Sequence, residues 1–410
     1  MMKKHLLAIS AAAILLAPQA VGAEGFAVNE WSAEGMAMGG ARMFAENDAA
    51  NMAYNPASLT KIKGEVAKIS ATYLSPHGKY KAYSDEAENL LPNGEGHNRV
   101  HPAWAPGSYY VKQINDKEWV GIGAYSRFGN ACQFEAGSWP GTDNTSAKIN
   151  GISMGVNYAR KIDSKWAASL GAEVNYVGLQ VDKTPYMPNA GFGHVHVEGE
   201  SYALGWNAAV NYEFDDKNEI GVVYRSAVNH SMEADYDTAG LPSNVYGPKG
   251  DAYGCVTLPE SVMVGYGHKF NDKTRVELNG TWTRWSRFDR LTISPLSDDV
   301  KNWKDGWRYA IGIEHKLSDK YSLLGGIAYD ESSIPDWPNE GADFMIPTGT
   351  RTTFTIGTQY HDEKQTLAFT VGYMKVGDLH IAGSHTAAFD HADMYDSYTK
   401  MFSISYQYNF

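Results

Sequence analysis

The sequence predicts an all-β fold, a 14-stranded antiparallel transmembrane β-barrel with an N-terminal hatch, or plug, of short helices. Three observations predict it: apolar and aromatic residues alternate with polar ones over long stretches, a short polar turn recurs, and no apolar run long enough for a spanning helix of about 18 residues follows Ala23. The 410 residues are 43% apolar and 12% aromatic, with 26 Tyr, 14 Phe, 11 Trp, 41 Gly and 2 Cys, yet the mean hydropathy is only −0.39. That mixture excludes disordered, collagen-like and disulfide-stapled chains. With 35 basic against 47 acidic residues, a net charge of −12, no basic face for nucleic acid is expected.

Residues 1–23 open with Lys3 and Lys4, continue through an apolar run from Leu6 to Ala17 and end on the small residues Val21-Gly22-Ala23. This is the pattern of a secretory signal peptide, so the mature chain is expected to begin at Glu24 outside the cytoplasm. Residues 24–63 lack alternation, carry Gly35, Gly39 and Gly40, and hold short helix-like pieces ending at Asn55-Pro56-Ala57. A barrel of about fourteen strands is wider than the eight that side chains can fill and approaches the sixteen that leave a channel. Residues 24–63 are therefore expected to lie inside as a hatch, and 64–410 to form the barrel.

Polar turns beginning at Asn115, Asp163, Asp215, Asn271, Ser318 and Asp362 recur every 44 to 56 residues, room for two strands and one long loop. Seven longer loops, near 76–103, 129–146, 184–197, 237–253, 296–305, 332–349 and 380–397, complete the count of fourteen strands. Short turns on one side and long loops on the other, with aromatic strand ends, are what outer-membrane barrels show. Between Tyr398 and Phe410 the even positions include Tyr398, Phe402, Ile404, Tyr406 and Tyr408, while Thr399, Ser403, Ser405, Gln407 and Asn409 fill odd ones. The same holds for Trp166, Leu170, Val174 and Tyr176 against Ser169, Glu173 and Asn175. A one-residue slip would turn Glu173 or Glu213 into lipid at a cost of a few kcal/mol, so register is pinned.

Several motifs look chemical and are read otherwise. Gly151-Ile152-Ser153-Met154-Gly155 fits the nucleophile elbow of serine hydrolases, but the alternation runs straight through it where a strand-to-helix turn is needed. No catalytic residue, cofactor or metal is expected. His194 and His196 share a strand face and His380, His385 and His391 share a loop, the ordinary placement of solvated histidines. Cys132 and Cys255 both fall toward the outer side, and a bridge between them is left open.

Gly25-Phe26-Ala27-Val28-Asn29-Glu30, Ser32, Gly35, Asp48-Ala49 and Asn55-Pro56-Ala57-Ser58-Leu59 resemble the hatch of the FadL-type long-chain fatty acid transporters of outer membranes. Further matches follow in order: Leu258-Pro259-Glu260, Trp285-Ser286-Arg287-Phe288, Trp303-Lys304-Asp305 with Arg308 and Gly312, Ala328-Tyr329-Asp330 with Pro335, and Ile346-Pro347. Terminal Phe410 is similar to the aromatic by which such barrels are recognised by the insertion machinery. The chain departs from the family at Thr348, where an acidic residue is common, at Arg127-Phe128-Gly129, where Pro-Phe-Gly is common, and at Gly178, near which the fatty acid transporter carries an arginine.

The resemblance implies a Gram-negative outer-membrane protein, surrounded by lipid and lipopolysaccharide, that imports long-chain fatty acids passively through a gap at a kinked third strand. Burying about sixteen methylenes is worth on the order of 13 kcal/mol at ~0.8 per methylene, which a water-filled porin cannot supply. It also implies that Phe26 touches the ligand, that Asn29, Glu30, Asn55, Pro56 and Ala57 belong to the hatch motif, and that Asn55 and Pro56 hold the hatch against the wall. Gly121, Gly123, Phe128 and Gly129 fall on the third strand, where glycine makes a kink or bulge cheap. For a carboxylate, Lys304, Arg308 and Lys183 are candidate anchors, alternatively rim charges paired with Asp305 or Asp182. Two other readings stay open: an importer of aromatic hydrocarbons or other apolar compounds, and a surface adhesin or phage receptor.

Overall fold

A computed structural model describes residues 25–83, 94–99, 101–187, 191–241, 247–335, 342–382 and 391–410. The proposed signal peptide, residues 1–23, lies outside the described residues, as does His385. Fourteen strands close into one antiparallel barrel. They are β1 (Glu65–Tyr83), β2 (Ala103–Asn115), β3 (Glu118–Gln133), β4 (Ser146–Lys161), β5 (Trp166–Lys183), β6 (His194–Glu213), β7 (Asn218–Arg225, continuing as Val228–Ala239) and β8 (Lys249–Leu258, continuing as Ser261–Lys269). The remainder are β9 (Thr274–Thr283), β10 (Gly306–Lys316), β11 (Tyr321–Asp330), β12 (Arg351–His361), β13 (Gln365–Val376) and β14 (His391–Asn409). Each pairs with the next, and β14 returns to β1 from Val66↔Asn409 to Tyr83↔His391.

Alternation decides which way each face points. On β14, Thr399, Met401, Ser403, Ser405 and Gln407 are buried while Lys400 and Phe402 are exposed. On β5, Ser169, Glu173 and Asn175 are buried and Trp166, Leu170 and Val174 exposed. The apolar face is thus the outer one, the inverse of a soluble protein, as lipid demands. Aromatic pairs mark both rims, Trp166–Tyr212 at 4.6 Å and Tyr408–Phe410 at 5.1 Å on the short-turn side, Tyr73–Trp104 at 5.1 Å and Tyr373–Tyr398 at 5.5 Å toward the long loops.

All six polar turns sit where the sequence places them, and their chemistry explains why. In each, the leading side chain accepts backbone N–H groups beyond it: Asp163 from Lys165 and Trp166 at 2.7 and 2.8 Å, Asp362 from Lys364 and Gln365 at 2.9 and 3.0 Å. Asn115, Asp215, Asn271 and Ser318 do the same. Most of the long loops are shorter than expected, because strands run on above the membrane: β1 reaches Tyr83 and β14 starts at His391, both within spans read as loop, whereas the connection from β9 to β10 spans 284–305 and is longer than the expected 296–305.

Residues 25–62 fill the lumen on the short-turn side and are buried almost throughout. Helix α1 (Ala33–Ala37) is capped by Ser32, whose hydroxyl accepts from Gly35 N at 3.0 Å. Gly35 must be glycine, since a Cβ there would stand 2.1 Å from the Tyr54 hydroxyl. Helix α2 (Asn51–Tyr54) leads into a 3₁₀ turn, Pro56–Lys61, whose cap is Asn55. Inward-facing charge on the wall meets charge on this segment. Lys68 of β1 bridges Glu34 at 2.9 Å and Asp48 at 2.7 Å. Arg42 then joins Asp48 at 3.0 Å to Glu314 of β10 at 3.2 Å, and Arg275 of β9 joins Glu314 to Glu277. Glu277 in turn accepts Met43 N at 2.6 Å.

Candidate functional site

The wall is interrupted at β3. Its pairing with β2 stops at Gly107↔Tyr125, while residues Ala103 to Pro106 of β2 stay paired with β1 alone. Pro106, which has no N–H to give, stands where the ladder ends. On the other side, Tyr125 pairs with Ser153 and Phe128 with Gly151, so three steps along β3 match two along β4. This bulge at Ser126-Arg127 bends the strand into the lumen, and every residue from Ala124 to Cys132 is buried.

The backbone groups that β2 abandons are taken by the hatch. Val28 N donates to Arg127 O and Gly129 N to Phe26 O, both at 2.8 Å, with Ala27 bridged to Phe128. Deeper contacts hold the displaced strand, for Asn130 donates to Met345 O at 2.8 Å and Trp31 Nε1 to Ser126 O at 2.7 Å.

Above the bend lies a narrow apolar space lined by Phe26, Ile149, Leu179, Met232, Leu258 and Ile293 among others. Its base is an aromatic cluster in which Phe26 meets Trp285 at 4.9 Å, Phe288 at 5.3 Å and Phe128 at 5.8 Å. Below Phe26 and Phe128 a second space is bounded by the hatch residues Ala27 to Asn29, by Arg127 and by Arg225 of β7. Glu173 binds both arginines, Arg225 at 2.7 Å and Arg127 at 3.3 Å, and accepts further bonds from Tyr125 and Asn207. Arg225 also donates to Ala53 O of α2 at 2.5 Å.

The residues singled out from sequence fall into three places. Phe26 lines the apolar space, Phe128 lines the lower one, and Gly129 pairs with the hatch beside them. Gly121 and Gly123 do not make the bend, which falls after them. They keep regular register and leave room for the hatch, since a Cβ on Gly121 would come within 2.4 Å of Met52 Sδ. Asn55 docks the hatch on β6, donating to Asn211 at 2.7 Å and accepting from Ala57 N at 3.1 Å. Pro56 starts the turn, and Ala57 packs with Met43, Phe44 and Val223. Asn29 passes its carbonyl to Tyr54 and borders the lower space. Glu30 is buried beside it, and burial pushes its carboxyl up despite nearby Arg308.

The expected cation anchors are elsewhere. Arg308 faces the lumen but is held bidentately by Asp330 at 2.6 Å and donates to Gly39 O, so it clamps the hatch rather than lining the apolar space. Lys304 is exposed on the outer rim and its amide bonds Ser333. Lys183 lies at the outer end of β5, near Asp343, whose carboxyl is held low, against its burial, mainly by buried Lys301. Arg127 and Arg225 border the lower of the two spaces, neither of them a residue that sequence reading singled out as an anchor, while Arg308 borders a further pocket beside Asn29 and Tyr54. Arg127 had shown only as a departure from the family pattern, and Arg225 shares its inward parity with Glu219 and Val223.

The remaining motifs are structural. Ser153 hydrogen-bonds Asn175 at 2.5 Å inside uninterrupted β4. His196 and His380 pair with Asp182 and Asp393, and no group able to hold a metal occurs among the described residues. Cys132 and Cys255 are not joined: Cys132 is buried with Sγ 3.1 Å from Phe344 O, while Cys255 lies exposed.

Replacing Asn55 by alanine removes both a cap and the bond to Asn211, together about 1–2 kcal/mol. Uptake of labelled oleate is expected to fall with barrel abundance unchanged, and unaltered uptake would contradict the docking role.

Comparison with known proteins follows this geometry. A family model described as "Outer membrane protein transport protein (OMPP1/FadL/TodX)" matches residues 13–410. The "Long-chain fatty acid transport protein" of Escherichia coli O6:H1 is 26% identical over 407 residues, 86% of each chain. "Outer membrane protein P1" of Haemophilus influenzae is 26% identical over 408 residues, covering 88% of this chain and 87% of its own. A Pseudomonas aeruginosa FadL homologue superposes with a TM-score of 0.85 at 18% identity, over 94% of this chain and all of the other. The Pseudomonas putida toluene transporter TodX does so at 0.71 and 15%, over 93% and 99%. At these identities the two solved structures speak for the fold.

Proposed function

The chain belongs to the OMPP1/FadL/TodX family of outer membrane transport proteins, and on that premise we propose that its cargo is a long-chain fatty acid. The family consists of transport channels for hydrophobic compounds, and the chain is accordingly an outer-membrane barrel that carries such a compound rather than an enzyme. What favours a fatty acid over an uncharged hydrocarbon is one observation. Below the apolar space and its aromatic base, two guanidiniums share a single carboxylate. Arg127 and Arg225 against Glu173 leave one positive charge in excess, and in so buried a place a second carboxylate is its natural complement. The tail then extends upward among Phe26, Ile149, Leu179 and Met232. Release runs sideways, past the bend at Ser126-Arg127 and through the unpaired stretch between β2 and β3 into the outer leaflet.

The test removes the excess without orphaning Glu173. Arg127→Met leaves the shorter Arg225–Glu173 pair intact. Its affinity for oleate, measured by displacement of a fluorescent fatty acid, is expected to drop about tenfold or more, the worth of one charge-assisted bond. Toluene binding is expected to stay unchanged. Equal losses for both ligands, or none for oleate, overturn the fatty-acid reading.

A further inference from the structure

One buried polar side chain in the lumen has no use in that account. His230 points inward from the upper part of β7, 2% exposed, between Val228 and Met232 of the apolar cluster. Its ladder partner on β8 is Val256, which lines the apolar space. Among the described residues neither ring nitrogen has a hydrogen-bond partner. Two strands away, inward-facing Asn175 of β5 uses its carbonyl oxygen on Ser153, and its Nδ2 likewise lacks a partner. A greasy wall therefore carries an imidazole that, uncharged, offers one donor and one acceptor, and an amide that offers a donor.

Buried polar groups are normally satisfied, and one left facing a plain hydrocarbon chain is penalised while one facing a hydroxyl is rewarded. Position says which part of a ligand meets it. Arg225, the proposed carboxylate contact, lies five residues earlier on the same strand, which is interrupted at Ser226-Ala227, so His230 stands at most about 16 Å further along it at ~3.3 Å per residue. With the carboxylate at the arginines, His230 faces the middle of an extended acyl chain and not its head.

We propose that His230, supported by Asn175, makes this lumen selective for a long-chain acid bearing a mid-chain hydroxyl. The proposal rests on the fatty-acid reading and narrows it to an oxygenated subclass.

Ricinoleate and oleate differ by one mid-chain hydroxyl and serve as the probes, each titrated against full-length protein in detergent by displacement of a fluorescent fatty acid. Wild-type protein is expected to prefer ricinoleate by about tenfold, one net hydrogen bond. H230L is expected to bind the two alike, with oleate bound at least as tightly as by wild type, and H230Q, whose amide still donates and accepts, to keep most of the preference. Oleate binding without preference in wild type, where water and not ligand then satisfies the ring, overturns the His230 proposal alone, as does a preference undiminished in H230L, which assigns the selectivity to another group. Failure of both acids to displace the probe overturns the fatty-acid reading and this proposal with it.

Discussion

Lys68→Met is expected to release the hatch. Lys68 is 1% exposed, stands on β1, and is the bridge between Glu34 of α1 and Asp48 before α2. Methionine matches its length and apolar stem but leaves the Glu34 carboxylate buried with no cation at contact distance and Asp48 with Arg42 alone. Breaking a buried ion pair by removing one partner costs about 3–5 kcal/mol, because the other charge stays behind in a poor solvent for it. The barrel closes through its own ladder and is not held by this bridge, so the loss falls on docking. Hydrogen exchange of the amides in α1 and α2 should accelerate by two orders of magnitude or more at ~1.4 kcal/mol per tenfold. Conductance in planar bilayers should rise from closed to porin-like. Lys68→Arg should restore both readouts, and a closed, protected hatch in Lys68→Met would remove the bridge from the account.

The same cluster sets how the hatch responds to acid. Burial pushes the Asp48 carboxyl up, but Lys68 and Arg42 outweigh it and hold it well below the usual carboxylate range. A carboxyl depressed in the folded state contributes its stability above its unfolded pKa, about 3.9 for aspartate, and loses it only as pH falls through the folded value. Mild acid alone therefore leaves this anchor in place, and a docked hatch should persist down to pH values where exposed aspartates are already protonated.

How much of this was legible beforehand depends on what kind of force wrote it. The barrel was legible because lipid and lumen impose opposite chemistry on neighbouring residues: Trp166, Leu170 and Val174 against Ser169, Glu173 and Asn175 admit one orientation only. The turns were legible because Asp163 or Asp362 makes its bonds within three residues of itself. The hatch residues came from resemblance, and their contacts explain their pattern, Asn55 to Asn211 and Gly35 under Tyr54. The charge partners were not legible. Arg308 and Asp330 lie on adjacent strands, Arg127 and Arg225 reach one glutamate from either side, and none of these meetings has a local signature. Nor was the bend, since a bulge is one extra residue, visible only against the strand it pairs with. Glycines drew the eye to 121 and 123, but those positions yield space to Met52 and Leu59, and the extra residue came at Ser126-Arg127, where Arg127 stood out only as a departure from the family pattern.

Deleting Ser126 is expected to close the wall. With that residue gone, two steps along β3 match two along β4 from Tyr125 onward, and nothing then drives the strand inward. The segment from Arg127 to Asn130 can then continue the pairing of β3 with the stretch of β2 from Pro106 back to Ala103, although Pro106 withholds one donor. Each ladder bond is worth about 1 kcal/mol net, so three or four of them set a barrier of several kcal/mol against a ligand passing between the strands. The hatch loses in the exchange: Val28 N and Phe26 O give up Arg127 and Gly129, and Trp31 its bond to the deleted carbonyl. Two effects must be kept apart, because the deletion also turns Arg127 to the outer face. Arg127→Met alone should weaken oleate uptake yet spare an uncharged cargo such as toluene, whereas the deletion should depress entry of both by more than about tenfold. A deletion barrel that still shifts on heating in gels has folded. If such a barrel admits toluene at the parent rate, cargo does not leave through the gap beside β3, and the lumen must then empty past the hatch toward the periplasm.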